Sequence, residues 1–372
     1  MTFIIGLVLL GLLVFLHELG HFFTARICGV RVEAFSIGMG PVLIHKEFFG
    51  TDWRLSLLPF GGYCAMKGEK DFEEGYYRSS ELEKDSFYGV RALFRAFIAF
   101  GGPFANFLFS AFAFFLISLI GYSYYSASNS IVLATEAYPE LHSAAADAGL
   151  MTGDKIIRIN SCEITDFTGI YEEVALHGDE DIQILVERGG EKIEFTVHTD
   201  LDKKTGEGKI GVMSMPDSVV KKEAPRYSFL PAMGRGFSET IGLIKLSLKG
   251  ILSLFKGVDI MENVAGPARI TSMLGQTARS GFSADFRSGF SAVLRFMAII
   301  SISLFIMNLL PIPILDGFLV ISSILESVFD FRISPKVRNI VQYVGLAFIA
   351  MLFLLALTGD FHYFTELLNA KK

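Results

Sequence analysis

Charge is scarce in this sequence. Only 19% of its 372 residues are Asp, Glu, Lys or Arg, where an ordinary soluble domain has roughly 25%. The few charges do not lean basic: 33 Lys and Arg stand against 39 Asp and Glu, a formal net charge of -6. There is no electropositive footprint for nucleic acid, and no nucleic-acid partner is expected. Cysteine is scarcer still. Cys28, Cys64 and Cys162 are too few and too widely spaced for a disulfide framework or a CxxC metal clasp, which leaves them as small apolar residues. Hydrocarbon fills the sequence instead. The hydrophobic share is 51%, with 36 Phe and a mean hydropathy of +0.46, a balance that soluble domains rarely reach.

Four long apolar stretches carry this excess: Phe3 to Ala25, Ala96 to Gly121, Phe296 to Leu325 and Ile340 to Thr358. Each meets or nearly meets the ~20 residues that cross ~30 Å of hydrocarbon. The first is not expected to be a cleavable signal. No positive n-region or small-x-small site frames it, and it runs on into HELGH. Arg26, Arg31, Arg91 and Arg95 flank the first two spans, and Arg332, Lys336 and Arg338 lie between the last two. The positive-inside rule then puts residues 26–93 and 326–339 in the cytoplasm, with 122–295 and both termini outside.

The expected division along the chain follows. A first transmembrane helix occupies 1–25, a membrane-associated β region and loop 26–93, and a second transmembrane helix 94–122. An extracytoplasmic β-rich domain covers 123–205, and a connecting region with an amphipathic helix 206–292. A third span at 293–325, a cytoplasmic loop at 326–339 and a fourth span at 340–358 complete it. Within 31–66, β-rich runs are punctuated by Gly38, Gly40, Pro41, Gly50, Pro59, Gly61 and Gly62. That is the pattern of hairpins, some apolar enough to dip toward the membrane. Residues 67–90 are polar and acidic, a solvated loop. At 131–200 a short helix, a Gly-Asp turn and two strands joined by Gly189-Gly190 describe a compact soluble domain. Residues 237–256 set Ile241, Ile244, Leu248, Ile251, Leu252 and Phe255 on one helical stripe, with Lys245, Lys249 and Lys256 elsewhere. Lysines in mid-segment argue against a span, so this helix either lies on the membrane surface or packs against the β-rich domain.

The chemistry is concentrated in HELGH at 17–21. In a helix, His17 and His21 share one face and can reach a single metal ion, while Glu18 is turned toward the water that such a metal activates. Two His and a Glu at the end of an apolar span are costly in lipid, by ~2–3 kcal/mol for a charged group, unless they face a protein interior and bind something. Catalytic zinc takes three protein ligands and keeps a fourth position open. The third ligand is expected from Asp316, the charged residue of the third span, where Pro311 and Pro313 break the helix. His45 and His362 are weaker candidates because neither lies in a span. His142, His177 and His198 fall in the outer domain and read as surface residues. Asn308, on the same broken segment, either bonds substrate backbone or oxyanion or bonds a neighbouring helix.

Together HELGH, LPFGGY at 58–63, GGPFANF at 101–107 and NLLPIPILDG at 308–317 resemble the site-2 protease family of intramembrane zinc metalloproteases (peptidase family M50), nearest to the bacterial regulator-of-sigma-E protease group. The outer segment adds a PDZ-like signature, GLxxGDxIxxIN, carried by Gly149, Leu150, Gly153, Asp154, Ile156, Ile159 and Asn160. The resemblance covers essentially the whole chain. It implies a polytopic α-helical membrane protein with four transmembrane helices, a membrane-associated β-hairpin region and one extracytoplasmic PDZ domain, in the bacterial cytoplasmic (inner) membrane. By it, His17, His21 and Asp316 ligate Zn2+, Glu18 is the general base and Asn308 binds substrate. The 31–66 region would pair with an unwound substrate. Implied partners are single-pass membrane substrates, anti-sigma-factor-like proteins or remnant signal peptides, together with the lipid bilayer. The PDZ domain would take a peptide C-terminus or extended segment. Two departures stand out. Gly317-Phe318-Leu319 replaces the family's usual Gly-Gly-His continuation, and 201–236 is too short for a second PDZ copy.

Two rival functions follow from the same residues. A binding scaffold with a structural metal would want four protein ligands, and three are well placed. A metal transporter would show several intramembrane polar residues and internal repeats, and neither is evident.

Overall fold

In a span, every backbone N–H and C=O must be satisfied within the segment, so apolar runs of this length can cross only as helices. The computed structural model describes residues 2–69, 83–203, 205–216, 218–253, 266–329 and 335–369. Among these, four helices are long and apolar enough to cross a membrane: α1 (Thr2–Ile27), α2 (Ala92–Ile120), α8 (Phe286–Leu309), and the Ile340–Phe361 part of α10 (Pro335–Asn369). The chain divides into two compact units.

The first unit holds Met1–Ile120, Arg226–Ile244 and Ala265–Lys372. Beside the four long helices it contains strands β1 (Val32–Phe48) and β2 (Thr51–Met66), the first part of α6 (Phe229–Ser253), α7 (Pro267–Ala284) and α9 (Asp316–Phe329). Helices α1 and α2 touch backbone to backbone. A Cβ on Gly20 would lie 2.1 Å from the Gly101 carbonyl oxygen, so only glycine permits this approach. A matching contact sets Gly6 of α1 against the Thr271 backbone of α7.

Strands β1 and β2 form one sheet in which both strands bend. Phe35 has partners on either side, Trp53 and Cys64, while Ile44 to Phe48 pair with Thr51 to Leu55. The resulting order of lanes is 62–66, 32–37, 51–56, 42–48. Gly38 (φ 86°) and Gly40 (φ 84°) occupy the bend in β1, in the left-handed region that side chains resist. The inner lanes pack on α1, where the Phe35 ring meets Phe15, Phe22 and Trp53. Leu43, Ile44, Phe48 and Phe49 at the far end are exposed.

The second unit holds Gly121–Pro225 and Lys245–Val264. In it β3 (Ser123–Ser126), β4 (Ile131–Leu133), α3 (Ala134–Ala137) and α4 (Ala144–Asp147) precede β5 (Lys155–Ile159), β6 (Cys162–Glu163), α5 (Phe167–Ala175), β7 (Asp181–Arg188) and β8 (Glu191–His198). Four strands make a sheet in the order β6-β5-β7-β8. The β7–β8 turn is Gly189-Gly190 with both φ positive, as a two-residue hairpin of this hand requires. Ile131, Leu150, Ile156, Ile159, Ile182 and Ile184 form its core.

Several boundaries correct the sequence expectation. The β-rich unit does not stop at 205: after β9 (Asp200–Leu201) and β10 (Gly208–Lys209), β11 (Val212–Ser214) pairs with β4 and β12 (Val220–Glu223) with β3. These strands are too short to show a period. Helix α7 lies inside the expected connecting region, unannounced because small and polar residues dominate it. The third span begins at Phe286 rather than 293, since Asp285 caps it by accepting from Ser288 N–H, and ends at Leu309. Pro311 and Pro313 follow, and α9 then runs to Phe329, so the expected loop at 326–339 is partly helical. The 237–256 stripe lies on α6. Lys249 on that helix bonds the Leu176 carbonyl and Glu180 within the second unit, which favours packing over a membrane-surface role. Phe255 and Lys256, the acidic loop at 70–82 and Arg332 lie outside the described residues. The three cysteines are free.

Candidate metal centre

Helical spacing does the first work at this site. His17 and His21, four apart on α1, are both buried, and their rings meet edge to face with centroids 4.8 Å apart. Asp316 arrives from the other end of the chain. Leu310 ends α8, the Pro311-to-Leu315 segment turns, and Asp316 opens α9. Gly317 makes this possible, because a Cβ there would lie 2.3 Å from the Leu309 carbonyl oxygen. Leu319, which stands where the resemblance leads one to expect His, packs against the cluster around Phe35 and Ile98.

The three side chains converge. His17 Nε2 is 3.2 Å from His21 Nε2 and 3.2 Å from Asp316 Oδ2, and His21 Nε2 is 3.4 Å from Asp316 Oδ1. Ligand atoms of all three lie within 4.8 Å of one another. No other described His, Cys, Asp or Glu group has this arrangement. Tetrahedral zinc with bonds of about 2.0–2.2 Å sets its ligand atoms about 3.3 Å apart. Two imidazole nitrogens and a carboxylate are also the donor set of hydrolytic zinc, with one position to spare. The residues fit the metal.

Helix α2 forms the floor. A Cβ on Gly102 would sit 2.3 Å from His21 Nε2 and 2.8 Å from His17 Cε1, so the bare backbone there keeps the imidazoles in place. His21 Nδ1 donates to the Ile98 carbonyl at 2.9 Å. A carbonyl only accepts, so in the neutral ring the proton is on Nδ1 and Nε2 keeps its lone pair. His17 Nδ1 lies 3.0 Å from the side-chain amide of Asn106, which is fully buried. Glu18 is beside β2: a Cβ on Gly62 would be 3.3 Å from Glu18 Cγ.

The other expected residues lie elsewhere. Asn308, in the last turn of α8, is half-buried, and its side chain makes no hydrogen bond to another described residue. His45 bonds Asp52 on the exposed hairpin. His142 pairs with Asp147 and Asp200, and His198 with Asp179 and Asp181, all exposed, while His177 bonds the Glu173 carbonyl. The His362 side chain lies outside the description. Sequence reasoning missed Gly102 and Asn106. The signal was there, in an Asn placed mid-span within GGPFANF, since a polar residue in hydrocarbon needs a reason.

The family model for peptidase family M50 matches residues 5–352. A Treponema pallidum protein named as a zinc metalloprotease is 33% identical, covering 97% of this chain and 98% of its own. Proteins so named from Campylobacter jejuni and Helicobacter pylori are each 32% identical, covering 96% of this chain and 92% and 98% of their own lengths.

Proposed function

The chain belongs to peptidase family M50 and is a zinc metalloprotease and multi-pass membrane protein, and from that premise we propose that it cuts single-pass membrane substrates within the bilayer. The observation that carries this reading is the meeting of His17, His21 and Asp316 on helices that belong to, or continue from, membrane-length spans.

In this reading His17 Nε2, His21 Nε2 and one Asp316 oxygen hold the zinc. Bound zinc supplies a Lewis acid that polarises the scissile carbonyl and acidifies water. Glu18 takes the proton from the attacking water and returns it to the leaving amine nitrogen. A substrate helix hides its carbonyls in internal hydrogen bonds and must unwind first. The 62–66 lane of β2 is one of the two edge lanes of its sheet, and Gly62 in it lies against Glu18. An extended substrate segment added to that edge would replace its lost hydrogen bonds next to the general base. Asn308 is assigned to substrate on the same resemblance.

The second unit is read as a PDZ domain outside the cytoplasmic (inner) membrane, recognising a peptide C-terminus or an extended segment. Gly149 and Gly153, with φ of 94° each, and the hairpin at Gly189-Gly190 support this. Anti-sigma-factor-like proteins or remnant signal peptides are the substrate class. Glu18→Gln tests the assignment in detergent or vesicles with a single-pass substrate. Zinc content is expected to stay at one ion, with cleavage falling by roughly 10²–10⁴-fold. Undiminished cleavage would overturn it.

A further inference from the structure

Each zinc-binding imidazole must do two things at once. One ring nitrogen offers its lone pair to the metal, and the other must then carry the hydrogen and give it to an acceptor. For His21 the Ile98 carbonyl is that acceptor, 2.9 Å from Nδ1. For His17 the group at Nδ1 is the Asn106 side chain, 3.0 Å away and 0% exposed. As placed, the Asn106 amide nitrogen faces His17, and its oxygen Oδ1 is buried with no hydrogen-bond partner among the described residues. That arrangement has Asn106 donating to Nδ1, which forces the His17 proton onto Nε2. Yet Nε2 is the atom that faces Asp316 and His21. A protonated Nε2 cannot ligate a metal. The two ends of an amide are nearly the same size, so exchanging them needs no extra space. The exchange moves the unpaired group from an acceptor to a donor, and the His17 tautomer decides between the two.

We propose that Asn106 is a positioning residue of the metal centre, its side-chain oxygen accepting from His17 Nδ1–H and so fixing the tautomer in which Nε2 binds zinc. This rests on the reading of His17 as a zinc ligand. Asn106 is itself held. Its backbone carbonyl accepts from Ser301 Oγ at 2.9 Å, and Ser301 is fully buried on α8. Gly102, one turn earlier on α2, supports the other edge of the two rings. One face of α2 thus sets both imidazoles, through a carbonyl, an amide oxygen and a missing side chain.

The test is zinc affinity of the purified full-length protein in detergent, by competition with a chromophoric chelator. Asn106→Leu keeps the volume and removes the acceptor, and zinc affinity is expected to fall on the order of 10–100-fold. Asn106→Asp supplies a stronger acceptor that cannot donate, so its affinity should equal or exceed that of the wild type. If Asn106→Asp weakens zinc binding by tenfold or more, Asn106 donates to His17 and the proposal is overturned. An unaltered affinity in the Leu variant overturns it as well. Should the Leu variant fail to fold, the Asp variant still decides. Nitrogen NMR of histidine-labelled, zinc-loaded wild type adds an independent readout, with His17 protonated at Nδ1 expected and protonation at Nε2 contradicting it. A wild type that holds no zinc, or a His17→Ala variant that holds it unchanged, would sink the reading of the site rather than the role of Asn106.

Discussion

Arg95 Nη2 lies 2.8 Å from Glu326 Oε2, an ion pair that ties α2 to the helix Asp316 begins. The guanidinium is buried and also lies over the Tyr88 ring at 5.2 Å. A buried pair is weak evidence of net stability against an apolar isostere, but removing one partner takes a counter-charge from the other. Because Glu326 is partly exposed, Arg95→Leu is expected to cost about 1–3 kcal/mol, below the full buried-pair figure. Part of that loss should reach the metal, since α9 carries Asp316. Thermal unfolding in detergent and zinc competition check both. An Arg95→Leu protein with wild-type stability and affinity would show that this ion pair does not hold α9 in place.

Ile314 stands two residues before Asp316 with φ at 86°. For a β-branched residue that is a true outlier, a strain of order 1–3 kcal/mol. Glycine relieves the strain and returns about 0.5–1 kcal/mol as unfolded-state entropy. Ile314→Gly should therefore stabilise the protein by about 1 kcal/mol, read as a higher melting temperature. Zinc affinity should fall at the same time, because a freer turn no longer fixes Asp316.

Much of the candidate metal centre is legible in the sequence. His17, Glu18 and His21 carry the helical period in their spacing, and Asp316 is marked as a charge in an apolar span next to two prolines that end a helix. Asn106 and Gly102 could not be read in the same way. A mid-span Asn or Gly gains a role only from what faces it, and here that is the pair of imidazoles on α1. The fold has the same division. The Gly189-Gly190 hairpin is written locally, whereas the lanes of β1 and β2 depend on two bends, and β11 and β12 are too short for a pattern. Helix α7 stayed hidden because its glycine contact with α1, Gly275 against Thr2, is a property of the partner.

Acid should unfold the second unit through Asp154. Its carboxylate is 1% exposed and takes two bonds from Arg188, at 2.6 and 2.7 Å, plus one from the Met151 amide at 2.9 Å. Burial pushes the carboxyl up, but the Arg188 bonds, the Met151 amide and the Arg188 charge outweigh it, and the net direction is down. A carboxyl lowered in the folded state contributes its stability above the unfolded value of about 3.9 and loses it as pH falls through the folded one. Hydrogen exchange of β5 and β7 amides should thus accelerate as pH drops below about 4, beyond the intrinsic pH effect. In Asp154→Asn the unit should already be less stable at neutral pH and respond less to acid. An equal acid response in both proteins would assign the transition to other carboxylates.

Gly102→Ala separates the metal from the fold. On helix propensity alone the substitution should stabilise α2 by about 1 kcal/mol. The new methyl, however, would start 2.3 Å from His21 Nε2 and 2.8 Å from His17 Cε1, so a ring must move. His21 Nε2 is an atom that faces Asp316, and His17 Cε1 is bonded to the Nε2 that does, so displacing either ring by a fraction of an ångström spoils a site whose spacing already suits zinc. The variant is expected to keep wild-type helix content by circular dichroism while losing on the order of tenfold or more in zinc affinity, and cleavage with it. Gly242→Ala on α6 is the matched control, because a Cβ there meets nothing within 4 Å and only the propensity gain should appear. If both variants bind zinc as the wild type does, the His17 and His21 rings have room to retreat, and the floor that α2 provides is not what holds them.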